Sequence, residues 1–392
     1  MNLIQQRSSK MHVQRDFEKI LLNRLKERPR FIQVLLGPRQ VGKTSGVLNV
    51  LENNFSEKDY NYFLIEESFY EKDWFLNQIQ KAIESNKKII VLDEIQKLDH
   101  WSEAIKLIWD RLKHQKKQIH FVLLGSSSLK LTLGLSESLS GRFEMIPCYH
   151  WSYHESKHGF KLSFEQYHKM GGYPGSYPLI KDEPRFKSYI INSIFETSVQ
   201  NDILRFAHVK KPALFRQTFQ MICQFPAQVV SYNKLLGQLQ DLGNVDQVKY
   251  YLDLYAQAYF INLIPKWTRS PLSRATSPKI IIGANVFPFF LSENQNHTEE
   301  FLGHLFENLV GNQLCQAFES VYYWAEGAFE LDFIVLIKGT IHGIEVKSQR
   351  RKAKSLIQFR KKFPEAYTCI ITLENYLDFE QNPMNFITQY SI

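Results

Sequence analysis

The sequence predicts an α/β protein that opens with a parallel sheet, continues into a helical region and ends in a second α/β region. Three observations give this prediction. Apolar runs alternate with helical patterns over the first 150 residues, which is typical of a parallel sheet with crossover helices. A glycine-rich loop follows the first apolar run directly, and two acidic residues close a later one.

The first region, residues 1–150, contains four predicted strands and at least two amphipathic helices. The helices are expected over Asp73–Glu84 and Trp101–Lys113, where apolar residues recur at spacings of three and four. The predicted strands are Phe31–Leu36, Tyr62–Glu66, Ile89–Leu92 and Ile119–Leu124.

Composition restricts the class of protein. The 392 residues are 44% apolar and 22% charged, which excludes a disordered or low-complexity chain. A length near 400 suggests two or three domains at about 150 residues each. The net charge of +8 favours a polyanionic partner, although a basic enzyme without one has the same balance.

The cysteines and the beginning of the chain indicate where the protein works. Cys148, Cys223, Cys315 and Cys369 stand far apart, which argues against a zinc site or a disulfide framework. The first twenty residues carry charges where a secretory signal needs an apolar core, and no apolar run is long enough to cross a membrane. We therefore expect a cytoplasmic protein without a membrane partner.

Two middle regions separate the ends of the chain. Residues 151–207 are predicted to be a helical lid or linker interrupted by the rigid turn GGYPGSYP. Residues 208–268 show three helical patterns and then the strand-like run INLIPKW, an order that fits a winged helix-turn-helix. A plain helical spacer is the alternative. Residues 269–392 form the last region.

The loop GPRQVGKT follows a strand and precedes a helix, as a phosphate-binding loop requires. Its glycines let backbone N–H groups point at phosphate oxygens, and the helix N-terminus adds a favourable dipole. Lys43 is expected to reach the outer phosphates, and Thr44 to ligate Mg²⁺. The predicted nucleotide-binding residues are Gly37, Pro38, Arg39, Gln40, Val41, Gly42, Lys43, Thr44 and Ser45.

Two further runs supply candidate partners for the nucleotide. In KKIIVLDEIQ, Asp93 is expected to hold Mg²⁺ and Glu94 to polarise the attacking water, because hydrolysis needs a base as well as a metal. Two acids after a strand also serve as helix caps. In LLGSSS, Ser126 or Ser127 is expected either to sense the γ-phosphate or to cap a helix.

Arg142 in SGRFE lies in a loop-like stretch after these strands. An arginine near a phosphate site neutralises charge that develops in phosphoryl transfer, in cis or from a neighbouring subunit of a homo-oligomer. A surface arginine without that role is the other interpretation.

A hairpin near the C-terminus gathers a second set of charges. If Lys338 and Gly339 form the turn of this hairpin, Asp332 faces Glu345, with roughly 5 Å between their Cβ atoms. Two carboxylates at that distance repel by roughly 3 kcal/mol, which a divalent cation would remove. Lys347 shares a strand face with Glu345, and Glu307 on the preceding helix is a third candidate ligand for Mg²⁺. A structural salt-bridge cluster is the alternative.

A basic segment follows the hairpin, and a DNA or RNA backbone is its natural counterpart. It contains eight basic residues and no acids: Lys347, Arg350, Arg351, Lys352, Lys354, Arg360, Lys361 and Lys362.

In their order and spacing, GPRQVGKT, LDEIQ, GSSS, SGRFE and GGYP resemble the prokaryotic P-loop ATPases of the AAA superfamily that carry a C-terminal domain of uncharacterised function. ELDF and EVK resemble the core of PD-(D/E)XK nucleases, whose fold is that of restriction endonucleases. The resemblance implies nucleotide binding by Gly37, Gly42, Lys43 and Thr44, hydrolysis by Asp93 and Glu94, a sensor at Ser126 and an arginine finger at Arg142. The chain departs from the pattern at KIIIGANVF, where an acid is missing.

These observations predict an ATP- and Mg²⁺-dependent protein that acts on nucleic acid, with Asp332, Glu345 and Lys347 as catalytic residues of a nuclease-like domain. Two rival functions remain. One is a nucleotide-controlled switch that binds DNA or a protein without cutting, and the other is an ATPase that remodels proteins.

Overall fold

The computed structural model describes residues 13–65, 72–125, 135, 138–238, 244–268, 276–292, 298–348 and 354–391. The chain forms two compact units. The first comprises Met1–His150, His158–Lys161 and Ile194–Ala207, and the second comprises Trp151–Lys157, Leu162–Ser193 and His208–Ile392. The predicted winged-helix and C-terminal regions therefore lie within one unit.

The first unit is built on a five-stranded parallel sheet, which confirms the predicted fold class for this region. The strand order is β2-β3-β4-β1-β5. Every residue of β1, β3 and β4 is buried, as expected for the centre of a parallel sheet. The strands are β1 (Ile32–Leu36), β2 (Tyr60–Leu64), β3 (Ile89–Asp93), β4 (His120–Gly125) and β5 (Phe143–Pro147).

The helices beside these strands are α1 (Asp16–Lys26), α2 (Lys43–Asn54), α3 (Lys72–Glu84) and α4 (Trp101–His114), with a 3₁₀ turn at Ile95–Lys97. Helices α2, α3 and α4 follow β1, β2 and β3 at the predicted places, and α1, which the sequence did not predict, precedes β1. Strand β2 begins two residues before the predicted start at Tyr62, and Glu66 lies outside the described residues. The sequence did not predict β5, because this edge strand is partly exposed and lacks a continuous apolar run.

The stretch predicted as a helical lid is helical throughout most of its length. It contains α5 (Tyr153–Phe160), α6 (Phe164–Met170), a 3₁₀ turn at Pro174–Leu179, α7 (Glu183–Ser188) and two π-helical segments, Tyr189–Glu196 and Val199–Leu204.

The second unit contains a three-stranded antiparallel sheet of order β6-β8-β7. Three helices precede the last two strands, so that the element order is helix, strand, helix, helix, strand, strand. The elements are α8 (Pro212–Ile222), β6 (Gln228–Val229), α9 (Tyr232–Gln238), α10 (Val245–Gln257), β7 (Ile261–Ile264) and β8 (Lys279–Ile282).

The same unit ends in a four-stranded sheet of order β12-β11-β10-β9. Its elements are α11 (Val286–Leu291), α12 (Glu299–Ala317), β9 (Val321–Glu326), β10 (Phe329–Ile337), β11 (Thr340–Lys347), α13 (Lys354–Lys362), β12 (Tyr367–Thr372), α14 (Tyr376–Gln381) and α15 (Pro383–Tyr390). Trp324, Leu331 and Phe359 are buried where α13 packs on this sheet. Strand β12, which the sequence did not predict, pairs in parallel with β11 across the intervening helix.

None of the helices in the described ranges is long and apolar enough to traverse a bilayer.

Candidate nucleotide site and C-terminal charge cluster

The glycine-rich loop connects the end of β1 to the start of α2, as predicted. A Cβ on Gly37 would lie 1.9 Å from the carbonyl oxygen of Cys148, so no side chain fits there. Gly42 has φ 91°, a left-handed conformation that favours glycine. Both glycines are therefore required by the shape of the loop.

Lys43 points back into the loop that precedes it. Its ammonium group donates to the carbonyl oxygens of Gly37 at 2.8 Å and Pro38 at 2.6 Å. The side chain is buried, and burial lowers the pKa of this amine. The ammonium is thus held by two neutral acceptors at the place where a bound triphosphate needs a cation.

Asp93 and Thr44 meet at the carboxyl end of the sheet. The Thr44 hydroxyl donates to Asp93 Oδ2 at 2.7 Å, and the Tyr62 hydroxyl donates to the same oxygen at 2.5 Å. A threonine hydroxyl and a carboxylate in contact are the donor types that Mg²⁺ takes beside a nucleotide, so this pair fits the predicted ion. Burial raises the pKa of Tyr62, which keeps this hydroxyl a proton donor.

Glu94 follows β3 with φ 56°, a left-handed conformation that is unusual outside glycine. Its Oε2 accepts from the Gln96 side chain at 2.8 Å. The negative charge of Glu94 acts on both Lys43 and Arg39 of the loop. The predicted general base is therefore electrostatically coupled to the phosphate loop.

Arg15 and Asp202 are distant from the loop in sequence but hold it in place, and no sequence motif indicated either residue. Arg15 donates to the carbonyl oxygens of Val41 at 2.7 Å and Tyr149 at 2.9 Å. Arg39 forms a two-point ion pair with the carboxylate of Asp202, which is 163 positions away along the chain. Because such partners are brought together only by the fold, local motifs do not reveal them.

The other predicted loop residues take different places. Gln40 and Ser45 are exposed, and Pro38 and Val41 are buried. Ser126 and Ser127, the candidate sensors, lie outside the described residues.

Arg142 lies at the opposite end of the parallel strands from the phosphate loop. Its carbonyl accepts from the N–H of Ile32, the first residue of β1, whereas the loop follows the last residue of that strand. Its guanidinium binds the carboxylate of Asp110 at 2.9 and 3.1 Å. A role in cis is therefore excluded by position, and a role in trans stays a prediction.

The buried His150 is expected to make the stability of the first unit depend on pH. Burial, reinforced by Arg15 and Lys43, lowers the pKa of His150 to about 3, against about 6.5 in an unfolded chain. Below pH 6.5 the unfolded state takes up the proton first. The free energy of unfolding should therefore fall as pH drops from about 6.5 towards 3, by up to about 1.4 kcal/mol per pH unit for this group, and stay level above.

Urea unfolding at pH 7.5, 6 and 5 checks this expectation. His150→Gln should show a shallower loss of stability than the wild type over that range. Parallel profiles for the two proteins would show that His150 does not contribute.

The C-terminal hairpin has the predicted register. Ile337 pairs with Thr340 and Phe333 with Ile344, and the same register places Asp332 opposite Glu345. Asp332 Oδ2 accepts from the N–H of Val346 at 2.7 Å. The ammonium of Lys347 lies 2.6 Å from Glu345 Oε1.

A lysine that was not predicted occupies the centre of this cluster. Lys279, the first residue of β8, is fully buried, and its ammonium nitrogen lies 2.5 Å from Glu307 Oε1 and 3.6 Å from Asp332 Oδ1. A third carboxylate, that of Glu330, accepts from it at 3.1 Å. The only sequence signal was a lysine at the head of an otherwise apolar strand.

The predicted metal shell of Glu307, Asp332 and Glu345 is not assembled. Within the described ranges, no three acidic, histidine or cysteine side chains are grouped closely enough to hold a metal ion. The ammonium of Lys279 lies between Glu307 and Asp332 instead. A divalent cation therefore does not fit this cluster as the structure has it.

Burial and charge act together in the cluster. Burial and the neighbouring carboxylates of Glu307 and Glu345 raise the pKa of Asp332 well above its usual range. Burial disfavours the charge on Lys279, but the carboxylates of Glu307 and Asp332 outweigh it and raise the pKa of this amine. Lys279 is therefore charged at neutral pH.

The second unit also contains a cleft of about 600 Å³ beside the basic helix α13. Its lining includes Lys266, Trp267, Lys362 and the buried Trp324. Lys362 pairs with Glu326 at 2.6 Å. Arg350, Arg351 and Lys352 of the predicted basic segment lie outside the described residues, whereas Lys354, Arg360, Lys361 and Lys362 are exposed on α13.

Three family models match the chain. Residues 29–157 match an AAA domain, residues 161–283 match a domain of unknown function (DUF8612), and residues 302–389 match another (DUF4143). The first region is thus an AAA-type P-loop domain. The other two models carry no activity with them, so the nuclease-like fold stays a prediction.

Sequence relatives come from bacteria and archaea. An uncharacterised protein of Haemophilus influenzae is 25% identical over 255 residues, which cover 58% of this chain and 61% of that protein. The aligned region thus spans less than two thirds of the Haemophilus protein. An uncharacterised protein of Methanocaldococcus jannaschii is 23% identical over 335 residues, with coverage of 78% and 72%.

Solved structures show weaker similarity. A variant of Thermotoga maritima RuvB is 14% identical and covers 67% of this chain and 89% of its own, with a TM-score of 0.35. The replication initiator DnaA bound to AMPPCP and single-stranded DNA is 13% identical and covers 61% and 86%, with a TM-score of 0.31.

Proposed function

We propose that this protein is a Mg²⁺-dependent ATPase that works as a nucleotide-controlled switch and binds nucleic acid through its second unit. One observation carries the ATPase part. The ammonium of Lys43, the hydroxyl of Thr44 and the carboxylate of Asp93 converge around the phosphate loop at the carboxyl ends of β1 and β3.

Each of these residues has a role that its position supports. Lys43 would exchange its two carbonyl acceptors for phosphate oxygens, and the loop amides would bind the same phosphates. Thr44 and Asp93 would hold Mg²⁺, which neutralises charge on the phosphates during transfer. Glu94 would orient the attacking water. In a homo-oligomer, Arg142 of a neighbouring copy is the candidate for the remaining positive charge.

Nucleic-acid binding is assigned to helix α13 and the cleft beside it. Lys354, Arg360 and Lys361 are exposed on this helix, and none of its residues is acidic. Phosphate contacts from such side chains supply most of the affinity for a nucleic-acid backbone. The partly exposed Trp267 in the cleft offers an aromatic surface on which a base could stack.

The winged-helix arrangement is a poorer candidate for reading DNA. The element order around β6, β7 and β8 fits this motif, and α10 would be its recognition helix. However, α10 exposes Asp246 and Asp253, which repel a phosphate backbone. We propose that this region is a connecting module.

Cleavage of the nucleic acid is not part of this proposal. The predicted catalytic residues Asp332, Glu345 and Lys347 lie together, but metal-dependent cleavage would need a divalent cation where Lys279 now lies. The switch without cleavage, one of the alternatives from the sequence, agrees better with this arrangement.

Removing two positive charges from α13 tests the nucleic-acid part. The double variant Arg360→Gln/Lys361→Gln should bind duplex and single-stranded oligonucleotides more weakly, without dependence on their sequence. Because each lost phosphate contact releases about one counterion fewer, the slope of log affinity against log salt should fall by about 2. Fluorescence anisotropy between 50 and 200 mM salt measures both quantities.

The matched control is Lys116→Gln/Lys117→Gln, which removes two exposed charges from the first unit. It should leave affinity and salt slope unchanged. Equal weakening by both double variants, or a wild type that shows no salt-dependent binding, would contradict the assignment to α13.

A further inference from the structure

We infer that the ammonium group of Lys279 is the resident cation of the C-terminal carboxylate cluster and takes the place of a divalent metal ion. This inference does not depend on the proposed ATPase activity. It concerns only residues of the second unit, namely Lys279, Glu307, Glu330, Asp332, Glu345 and Lys347.

The geometry around Lys279 is that of a coordinated cation. Its nitrogen lies within 4 Å of carboxylate oxygens from three residues, Glu307 on α12 and Glu330 and Asp332 on β10. The ring of Phe333 lies below it, with 5.1 Å between the nitrogen and the ring centre. The cation therefore has carboxylates and a π-face around it and no access to bulk water, since the residue is fully buried.

Two lysine ammonium groups and one backbone N–H compensate the buried carboxylates of the cluster without a metal ion. Glu307 pairs with Lys279, and Glu345 pairs with Lys347. Asp332 is the remaining buried acid of the cluster; its Oδ1 lies 3.6 Å from the ammonium nitrogen of Lys279, and its Oδ2 accepts from the N–H of Val346 at 2.7 Å. Glu330 is about half exposed, so water solvates its charge. The repulsion that suggested a divalent ion from the sequence is thus already relieved.

The position of Lys279 is fixed by a different sheet from the one that carries the acids. It begins β8, the central strand of the three-stranded sheet, where it pairs with Val229 on β6 and Ile264 on β7. Because β8 is paired with a strand on each side, its first residue cannot easily move away from the cluster. The ammonium is therefore a built-in part of the cluster rather than a mobile side chain.

One carboxylate oxygen of the cluster is available to a divalent metal ion. Glu345 Oε2 is buried and has no hydrogen-bond partner among the described residues. A divalent ion bound there would contradict the inference, so the experiment must measure metal binding directly.

The test is titration of the full-length chain with Mn²⁺, followed by electron paramagnetic resonance and by the melting temperature. An Asp93→Asn background removes a ligand of the nucleotide site from every protein compared. With Lys279 intact we expect no Mn²⁺ bound at the cluster at millimolar concentration. Lys279→Met leaves buried carboxylates unpaired, so its melting temperature should fall by roughly 10 °C and rise again with Mn²⁺.

Two further variants keep the test decisive. Lys279→Met/Glu307→Gln removes one charge of each sign and should be more stable than Lys279→Met alone and less responsive to Mn²⁺. If the background protein binds Mn²⁺ and Asp332→Asn abolishes this binding, the inference is overturned. So would a Lys279→Met protein that keeps its melting temperature. Should Lys279→Met fail to fold, the comparison of the background protein with Asp332→Asn decides by itself.

Discussion

Replacing Lys43 by alanine should abolish detectable ATP binding. The ammonium lies inside the phosphate loop at 2.6 to 2.8 Å from two backbone carbonyl oxygens, and a triphosphate offers it far stronger acceptors. Hydrogen bonds to charged groups contribute about 1.5–3 kcal/mol each, so losing two of them weakens binding by roughly 100-fold or more. Titration with a fluorescent ATP analogue in the presence of Mg²⁺ measures this loss.

Two controls separate charge from folding. Lys43→Met keeps the buried aliphatic chain and removes only the ammonium, so it should lose binding as Lys43→Ala does while melting close to the wild-type temperature. Lys106→Ala removes an exposed lysine from α4 and should bind ATP normally. Wild-type affinity in Lys43→Met would show that the loop does not use this ammonium.

Glu94→Gln should separate binding from hydrolysis. The residue follows β3 beside the loop, and glutamine keeps its size and its capacity to accept from Gln96. Because a positioned general base contributes about 10²- to 10⁴-fold to the rate, phosphate release should fall by that factor while ATP affinity stays within a few-fold of the wild type. Phosphate release under steady-state conditions, together with the fluorescent titration, measures the two quantities.

Glu103→Gln is the matched control for an acid of the same unit outside the nucleotide site. Glu103 is exposed on α4, so its replacement should leave turnover unchanged. A Glu94→Gln protein that hydrolyses ATP at the wild-type rate would remove Glu94 from the mechanism.

Local patterns were sufficient to predict the parallel sheet and the phosphate loop. The loop lies between a strand and a helix that are adjacent in sequence, so GPRQVGKT predicts its own geometry. The hairpin register followed in the same way, because the turn at Lys338 and Gly339 fixes which residues face one another. The pairing of Phe333 with Ile344, which adjoins Asp332 and Glu345, could therefore be predicted from the sequence alone.

Contacts between distant segments could not be predicted in this way. Arg15 and Asp202 reach the loop from distant positions, and neither belongs to a motif. Lys279 shows the same limit most clearly. In KIIIGANVF the sequence drew attention to a missing acid, whereas the fold places the lysine of that run between Glu307 and Asp332. At the place of the predicted metal site, the structure therefore has the ammonium group of Lys279.

The proposed function as a whole depends on nucleotide hydrolysis at the loop between β1 and α2. Phosphate release from ATP by the wild-type chain, measured with Mg²⁺ and again after chelation with EDTA, tests it most directly. We expect steady turnover with Mg²⁺ and none after chelation, since Thr44 and Asp93 would then have no ion to hold. A chain that releases no phosphate in the presence of Mg²⁺, or that releases it equally well without the ion, would contradict the account.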